Sequence, residues 1–138
     1  TADQVNDLFN KKSGVAGISG VSSDFRDLEK ASSEGNEKAE LALEIYYNIL
    51  KKEIGSLAAE MGGVDVLVFT AGVGENASIV RENAVKGLEF LGIELDEEKN
   101  NVRGELAEVS KDSSKVKIYV VPTNEELVIA RDTMKLVK

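Results

Sequence analysis

The stretch "DVLVFTAGVGEN", Asp65 to Asn76, passes without a break from an apolar run into a glycine-punctuated turn. From Val64 to Thr70 almost every side chain is β-branched, aromatic or leucine, which predicts a strand covered on both faces. Gly72 and Gly74 follow, and Val80, Ala84, Leu88 and Leu91 then recur at helical spacing up to Gly92. Strand, glycine loop and helix in this order place backbone amides beyond the carboxyl end of a strand, where open α/β sheets bind their ligands. The missing side chains at Gly72 and Gly74 let a ligand lie on the main chain, and amides at a helix start favour anions or hydrogen-bonding bases. The same spacing also serves a plain strand-to-helix turn in which glycine supplies a positive φ.

A second unit of this kind begins at "VKIYVV", Val116 to Val121, and exits abruptly through Pro122 into "TNEE". Thr123 and Glu126 have capping-box spacing for a helix carrying Leu127, Ala130, Met134 and Val137. If Glu126 reaches back to the cap, Glu125 is left at the mouth of the sheet. A hard oxygen ligand there suits Mg²⁺, directly or through water, while two glutamates favoured by the helix dipole are the alternative. Between the two units, Ile93 to Leu95 reads as a short strand. Asp96 to Lys115 is polar and predicts nothing fixed beyond a turn of helix near Glu97.

The pattern Gly72-x-Gly74-x-x-Ala77, with Glu94 and Asp96 about twenty residues on, also fits the dinucleotide fingerprint, so an NAD-dependent oxidoreductase is a rival reading. Only three strand-like residues follow Leu91, however, and Asn76 and Ser78 look like caps. There is no G-x-x-x-x-G-K-[ST] phosphate loop.

The first sixty residues read as helical. Thr1 and Gln4 have capping-box spacing ahead of Val5, Leu8 and Phe9, with Gly14 as the expected stop. Gly14, Gly17 and Gly20 then predict a loop, followed by a helix capped from Ser22 or Ser23 and closed near Gly35. From Asn36 to Met61 a long helix is expected, its stripe formed by Ala39, Leu43, Tyr46, Leu50, Ile54, Leu57 and Met61. Within "SSDFR", Asp24 can accept from ribose hydroxyls and Arg26 can stack on a base or pair with phosphate. Equally, Asp24 is a first-turn acid, Phe25 a core anchor and Arg26 a solvated ion-pair partner.

The 138 residues suffice for one domain with a sizeable core. They include neither cysteine nor histidine, which removes disulfides, thiolate metal sites and His-based general bases from this chain. A net charge of −8 argues against nucleic acid or an anionic membrane as partner. No apolar run reaches the ~20 residues of a membrane span, and a cytoplasmic location is expected. The chain starts at Thr1 rather than methionine, and a piece of a longer protein is expected.

Taken together, "KKSGVAGISGVSSDFRDLE", "VDVLVFTAGVGENASIVRE", "GLEFLGIELDEEKNNVRGE" and "VKIYVVPTNEELVIARDT" closely resemble the carboxyl-terminal part of the acetate kinase family, in order over Val5 to Thr133. The resemblance implies an α/β, actin-like ATPase (ribonuclease H-like) domain, with a mixed, mainly parallel sheet and flanking helices. It implies that residues 1–138 are the carboxyl-terminal nucleotide-binding portion of an enzyme that closes around ATP, Mg²⁺ and a short carboxylate. By the family pattern Asp24, Phe25 and Arg26 line the adenosine site. Gly72, Val73, Gly74, Glu75 and Asn76 form a nucleotide loop beneath adenine and ribose, and Glu125 matches a magnesium ligand. The long helix resembles the region through which such kinases pair as homodimers.

The implied parent reaction moves the γ-phosphoryl of ATP to acetate, giving acetyl phosphate and ADP, reversibly. The family's catalytic histidines, substrate arginines and first phosphate loop have no counterpart here, so no catalytic residue is assigned and the chain alone is expected to be inactive. A propionate kinase of the same pattern and a non-catalytic dimerisation module are the other readings.

Overall fold

The computed structural model describes residues 1–137. Where length alone allows one domain, the chain divides into two compact units, Thr1–Gly62 and the residues from Gly63 onward.

The first unit is all helical: α1 (Ala2–Lys11), α2 (Gly14–Ser19), α3 (Phe25–Ser33) and α4 (Glu37–Met61). The capping box at Thr1 forms as expected, its hydroxyl accepting from the Gln4 amide and Gln4 answering at the Thr1 amine. The loop expected over Gly14–Gly20 is instead α2. Its glycines have two different reasons: a Cβ on Gly17 would lie 2.7 Å from the Lys12 carbonyl oxygen, while Gly14 and Gly20, at the two ends of the helix, take positive φ of 63° and 66°. The cap of α3 is Asp24 rather than Ser22 or Ser23: the Ser22 hydroxyl accepts from the Asp24 amide, and the Asp24 carboxylate accepts from Arg26 N. Asn36 caps α4, and Gly62 ends it in the left-handed region. Helices α2 and α3 both pack on α4. Leu28, Ala39 and Leu43 are buried between them, with Val15, Phe25, Ala31 and Tyr47 around this cluster. The expected stripe of α4 is buried only in its amino-terminal half; Leu57 and Met61 are exposed.

The second unit holds β1 (Val66–Phe69), α5 (Ala71–Asn76), α6 (Ser78–Val85), a 3₁₀ turn at Glu89–Leu91, β2 (Ala107–Glu108), β3 (Lys117–Val120) and α7 (Glu125–Leu136). The sheet order is β1-β3-β2, with β1 parallel and β2 antiparallel to β3. Being central, β3 buries Ile118 and Val120 completely. Strand β1 is an edge, so the expectation of cover on both faces fails: Val66 and Val68 are about half exposed and alternate with the more buried Leu67 and Phe69. Ile93 makes a parallel bridge to Val116 and Leu95 an antiparallel one to Ser110, in place of a continuous strand.

Asp96–Lys115, expected to lack fixed structure beyond a turn of helix near Glu97, has a local turn there and is otherwise ordered by distant partners. The Asp96 carboxylate accepts from the Glu98 and Lys99 amides, and Val109 N donates to Ile118 O at 2.8 Å. Lys99 Nζ bonds Asp112 at 2.6 Å and the Ser110 carbonyl at 3.2 Å. A polar segment thus acquires order from a neighbouring strand, which periodicity does not register. Among the described residues no helix is long and apolar enough to cross a membrane.

Leu28 is fully buried in the core of the first unit. Leu28→Ala is expected to lower stability by about 2–5 kcal/mol, read as an earlier urea midpoint of the helical signal.

Candidate functional site at the carboxyl edge of the sheet

Strands β1 and β3 run parallel in register, from Val66 opposite Lys117 to Phe69 opposite Val120, so both chains leave the sheet at one edge. They stay joined past their ends. Val121 N donates to Phe69 O at 2.9 Å, and Thr70 Oγ1 donates to Val121 O at 2.8 Å. Thr70 is the N-cap of α5, but its hydroxyl is spent on this bond and caps no amide.

Gly72–Asn76, expected as a loop, is a short helix that starts immediately after the strand. The left-handed backbone of the turn falls on Ala71, with φ 60°, and on neither glycine. The two glycines have different reasons. A Cβ on Gly74 would come 3.3 Å from the Phe69 carbonyl carbon, a tight contact that the end of β1 would have to relieve by a few tenths of an ångström, so this glycine suits packing within the chain. A Cβ on Gly72 would meet nothing within 4 Å; its bare backbone faces open space, as a ligand lying on the main chain requires. Val73 is half-buried. The Asn76 amide donates to Gly72 O at 2.8 Å, across one turn of the same helix.

Glu75 is turned inward, with 9% of its surface exposed. Its Oε1 accepts from both Thr123 N and Thr123 Oγ1, each at 2.8 Å, across 48 residues of chain. These bonds, the amide first and the hydroxyl second, hold its carboxyl below the usual glutamate range, and the Ala71 N–H adds a smaller contribution. With Thr123 so engaged, the expected Thr123/Glu126 capping box does not form. Asn124 caps α7, accepting from Leu127 N at 2.9 Å.

Glu125 is the first residue of α7 and is exposed. Its carboxylate makes no hydrogen bond or ion pair with the described residues. No group of three or more acidic side chains gathers there or elsewhere among them. One unengaged carboxylate fits magnesium, which takes few protein ligands and completes its octahedron with water and phosphate oxygens.

Sequence reasoning missed Arg81. Its side chain is fully buried on α6 and has only neutral partners. Nε donates to Asn100 Oδ1 at 2.7 Å and Nη1 to Gly74 O at 2.8 Å. Nη2 reaches Asn100 O at 2.7 Å and Val102 O at 2.9 Å. The Asn100 amide in turn donates to Ser78 O at 3.0 Å. Burial without a carboxylate partner lowers the Arg81 pKa. This hub fastens the carbonyl of Gly74 to the turn after Asp96. The available signal was position: Arg81 falls on the same helical face as Ala84, Val85 and Leu88, an arginine inside an apolar stripe.

In the first unit Asp24 and Arg26 meet. Arg26 Nε donates to Asp24 Oδ1 at 3.0 Å and Nη2 to Asp24 Oδ2 at 2.5 Å, a two-pronged pair in which the arginine side chain is 81% exposed. The side-chain bond from Arg26, helped by its amide, draws the Asp24 pKa down to about 2. The Phe25 ring lies against Tyr46, centroids 4.6 Å apart, and joins the core. Phe25 thereby anchors the two polar residues on either side of it.

This edge of a parallel strand pair, with helices starting at both strand ends, belongs to the actin-like ATPase fold that the chain shares with solved acetate kinase structures. The crystal structure of Porphyromonas gingivalis acetate kinase matches with a TM-score of 0.90 at 52% identity, over 100% of this chain and 35% of that one. A propionate kinase from Francisella tularensis matches at 0.82 and 35% identity, over 95% of this chain and 33% of that one. By sequence, the acetate kinase of Treponema denticola is 62% identical over 138 residues, covering 100% of this chain and 35% of that protein. The acetokinase family model matches residues 1–131, and the chain belongs to that family. It spans about 35% of the length of these acetate kinase relatives.

Arg81→Met strands four acceptors, in two buried and two part-buried bonds, and is expected to cost about 3 kcal/mol or more, with faster amide exchange over Gly72–Asn76. Arg81→Lys should recover only part of this, because an ammonium cannot reproduce the planar fork. For Asp24, whose folded pKa lies below its ordinary 3.8, the stabilisation from the Arg26 pair is present above about pH 4 and disappears as pH falls through 2. A carboxyl-carbon NMR titration should place its midpoint near 2 and move it only part of the way back toward the ordinary range in Arg26→Ala, which removes the guanidinium but keeps the amide donor.

Proposed function

We propose that this chain is the carboxyl-terminal nucleotide-binding portion of an acetate kinase, which moves the γ-phosphoryl of ATP to acetate and runs the reverse reaction to make ATP. The observation that carries the reading is the joint placement of the bare Gly72 backbone and the unengaged Glu125 carboxylate at one sheet edge, where β1 and β3 end together. In this reading the Gly72–Asn76 helix supports adenine and ribose through its main chain, and Asp24 and Arg26 make polar contacts to the adenosine. Glu125 holds Mg²⁺ through an oxygen or an intervening water. The ion, when bound, bridges phosphate oxygens and neutralises charge. The chain's own contribution is positioning, since phosphoryl transfer depends on alignment and charge stabilisation rather than on covalent chemistry by the protein.

Acetate is favoured over propionate by the higher identity to acetate kinases, 62% and 52% against 35%. The NAD reading is disfavoured because the Gly72-x-Gly74 segment is helical from Ala71, leaving no glycine loop to wrap a pyrophosphate. Homodimer formation through α4 is part of the proposal, supported by its exposed Leu41, Ile49, Leu57 and Met61.

The test has two arms. Amide shifts of the 138-residue chain should respond to ATP·Mg²⁺ at Asp24–Arg26, Gly72–Asn76 and around Glu125, and not to NAD; a response of Gly72–Asn76 to NAD alone overturns the reading. The purified chain should form no acetyl phosphate by itself. Substituted for the matching 35% of the Treponema denticola enzyme, it should support turnover, and a folded but inactive chimera also counts against the proposal.

A further inference from the structure

Glu75 lies in the segment assigned to the nucleotide, yet its carboxylate faces away from solvent and closes on Thr123 with two bonds of 2.8 Å. Two residues beyond Thr123 stands Glu125, and between them Asn124 caps α7. The residue on the other side of the contact is just as constrained. Ala71 occupies the left-handed region at φ 60°, a strained backbone for a residue with a Cβ, and its N–H is among the groups that stabilise the Glu75 carboxylate. Gly104 N donates to Glu75 O at 3.1 Å, and Arg81 holds the carbonyl of Gly74 next to it. Glu75 is therefore held on its backbone, while its side chain holds the exit from β3.

We propose that Glu75 and Thr123 form a latch that fixes Glu125 relative to the Gly72–Asn76 helix, so that Glu75 is a positioning residue for the metal contact and not a contact to the nucleotide. A carboxylate accepting from an amide and a hydroxyl of one residue allows that residue one orientation. Val121 stays tied to Phe69 and Thr70, but with a weaker acceptor in place of Glu75 the segment from Thr123 to Glu125 would be free to swing about Pro122. The strained turn at Ala71 and the metal-bearing start of α7 are thus set by a single charged group. The inference rests on the reading of Glu125 as the magnesium contact.

The experiment uses the 138-residue chain with the variants Glu75→Gln, Thr123→Val and Thr123→Ser, and Mn²⁺–ATP as paramagnetic probe. Without metal, the Thr123 amide should be protected from exchange in the wild type and in Thr123→Ser, which keeps both donors. It should exchange about tenfold faster or more in Glu75→Gln, where the charge-assisted bond is replaced by a weaker neutral one. With Mn²⁺–ATP, wild type and Thr123→Ser should lose amide signals around Glu125 and over Gly72–Asn76 together. Glu75→Gln and Thr123→Val should bind the probe about tenfold more weakly, and the two sets of signals should no longer fade in parallel. Unchanged affinity and parallel fading in both variants overturn the latch while leaving the metal reading in place. No broadening around Glu125 in the wild type overturns the metal reading and the latch with it. Should Glu75→Gln not fold, the Thr123→Val and Thr123→Ser pair decides the question, since each alters only the hydroxyl's side of the contact.

Discussion

The in-register parallel pairing of β1 and β3 is the constraint on which the second unit depends, because it makes two segments 51 residues apart leave the sheet at one edge. Parallel strands need a long crossover, and everything between Thr70 and Val116 serves as one. At the edge, main-chain bonding continues for one residue on each side, and then side chains take over: the Thr70 hydroxyl on Val121 O, and the Glu75 carboxylate on Thr123. The order of the two exits is therefore a consequence of sheet register, reinforced by short polar bonds where backbone pairing stops.

Two charged groups are placed inward at this edge, and they solve their burial differently. The Glu75 carboxylate is satisfied by donors from one residue, an arrangement that favours the ionised form. Arg81 is fully buried with carbonyl and amide oxygens alone, and desolvation works against its charge. A buried guanidinium with every nitrogen hydrogen-bonded is tolerated where it specifies a geometry. Here it joins the end of α5 to the turn at Asn100, two pieces that share no regular secondary structure. With these two groups turned inward, the bare backbone at Gly72 and the carboxylate of Glu125 are among the groups left exposed at this edge.

In the first unit the polar pair of Asp24 and Arg26 has a rigid base because the residue between them is hydrophobic. Phe25 enters the core beside Leu28 and Tyr46, while its neighbours stay at the amino end of α3. The pair is exposed and screened by solvent, so its worth is orientation of the guanidinium more than stability. Both halves of the chain thus follow one rule, with an apolar or buried anchor in the backbone carrying polar groups at a helix start.

Local patterning in the sequence determined the long helix from Asn36, the strands at Val66 and Lys117 and the helix after Pro122, because 3.6- and 2-residue periods and caps act within a few residues of one another. The run of matching segments from Lys11 to Thr133 likewise determined the family. What only the tertiary structure decided are matters of partners far along the chain. Thr123 answers Glu75 instead of Glu126, Arg81 is buried in an otherwise apolar stripe, and Asp96–Lys115 is ordered by β3. Backbone passes too close to Gly17 for a Cβ and close enough to Gly74 to make one tight, while in the turn after β1 the positive φ belongs to Ala71. A hydrogen bond across 48 residues leaves no periodic trace in a sequence, so its energy becomes visible only when the fold brings donor and acceptor together.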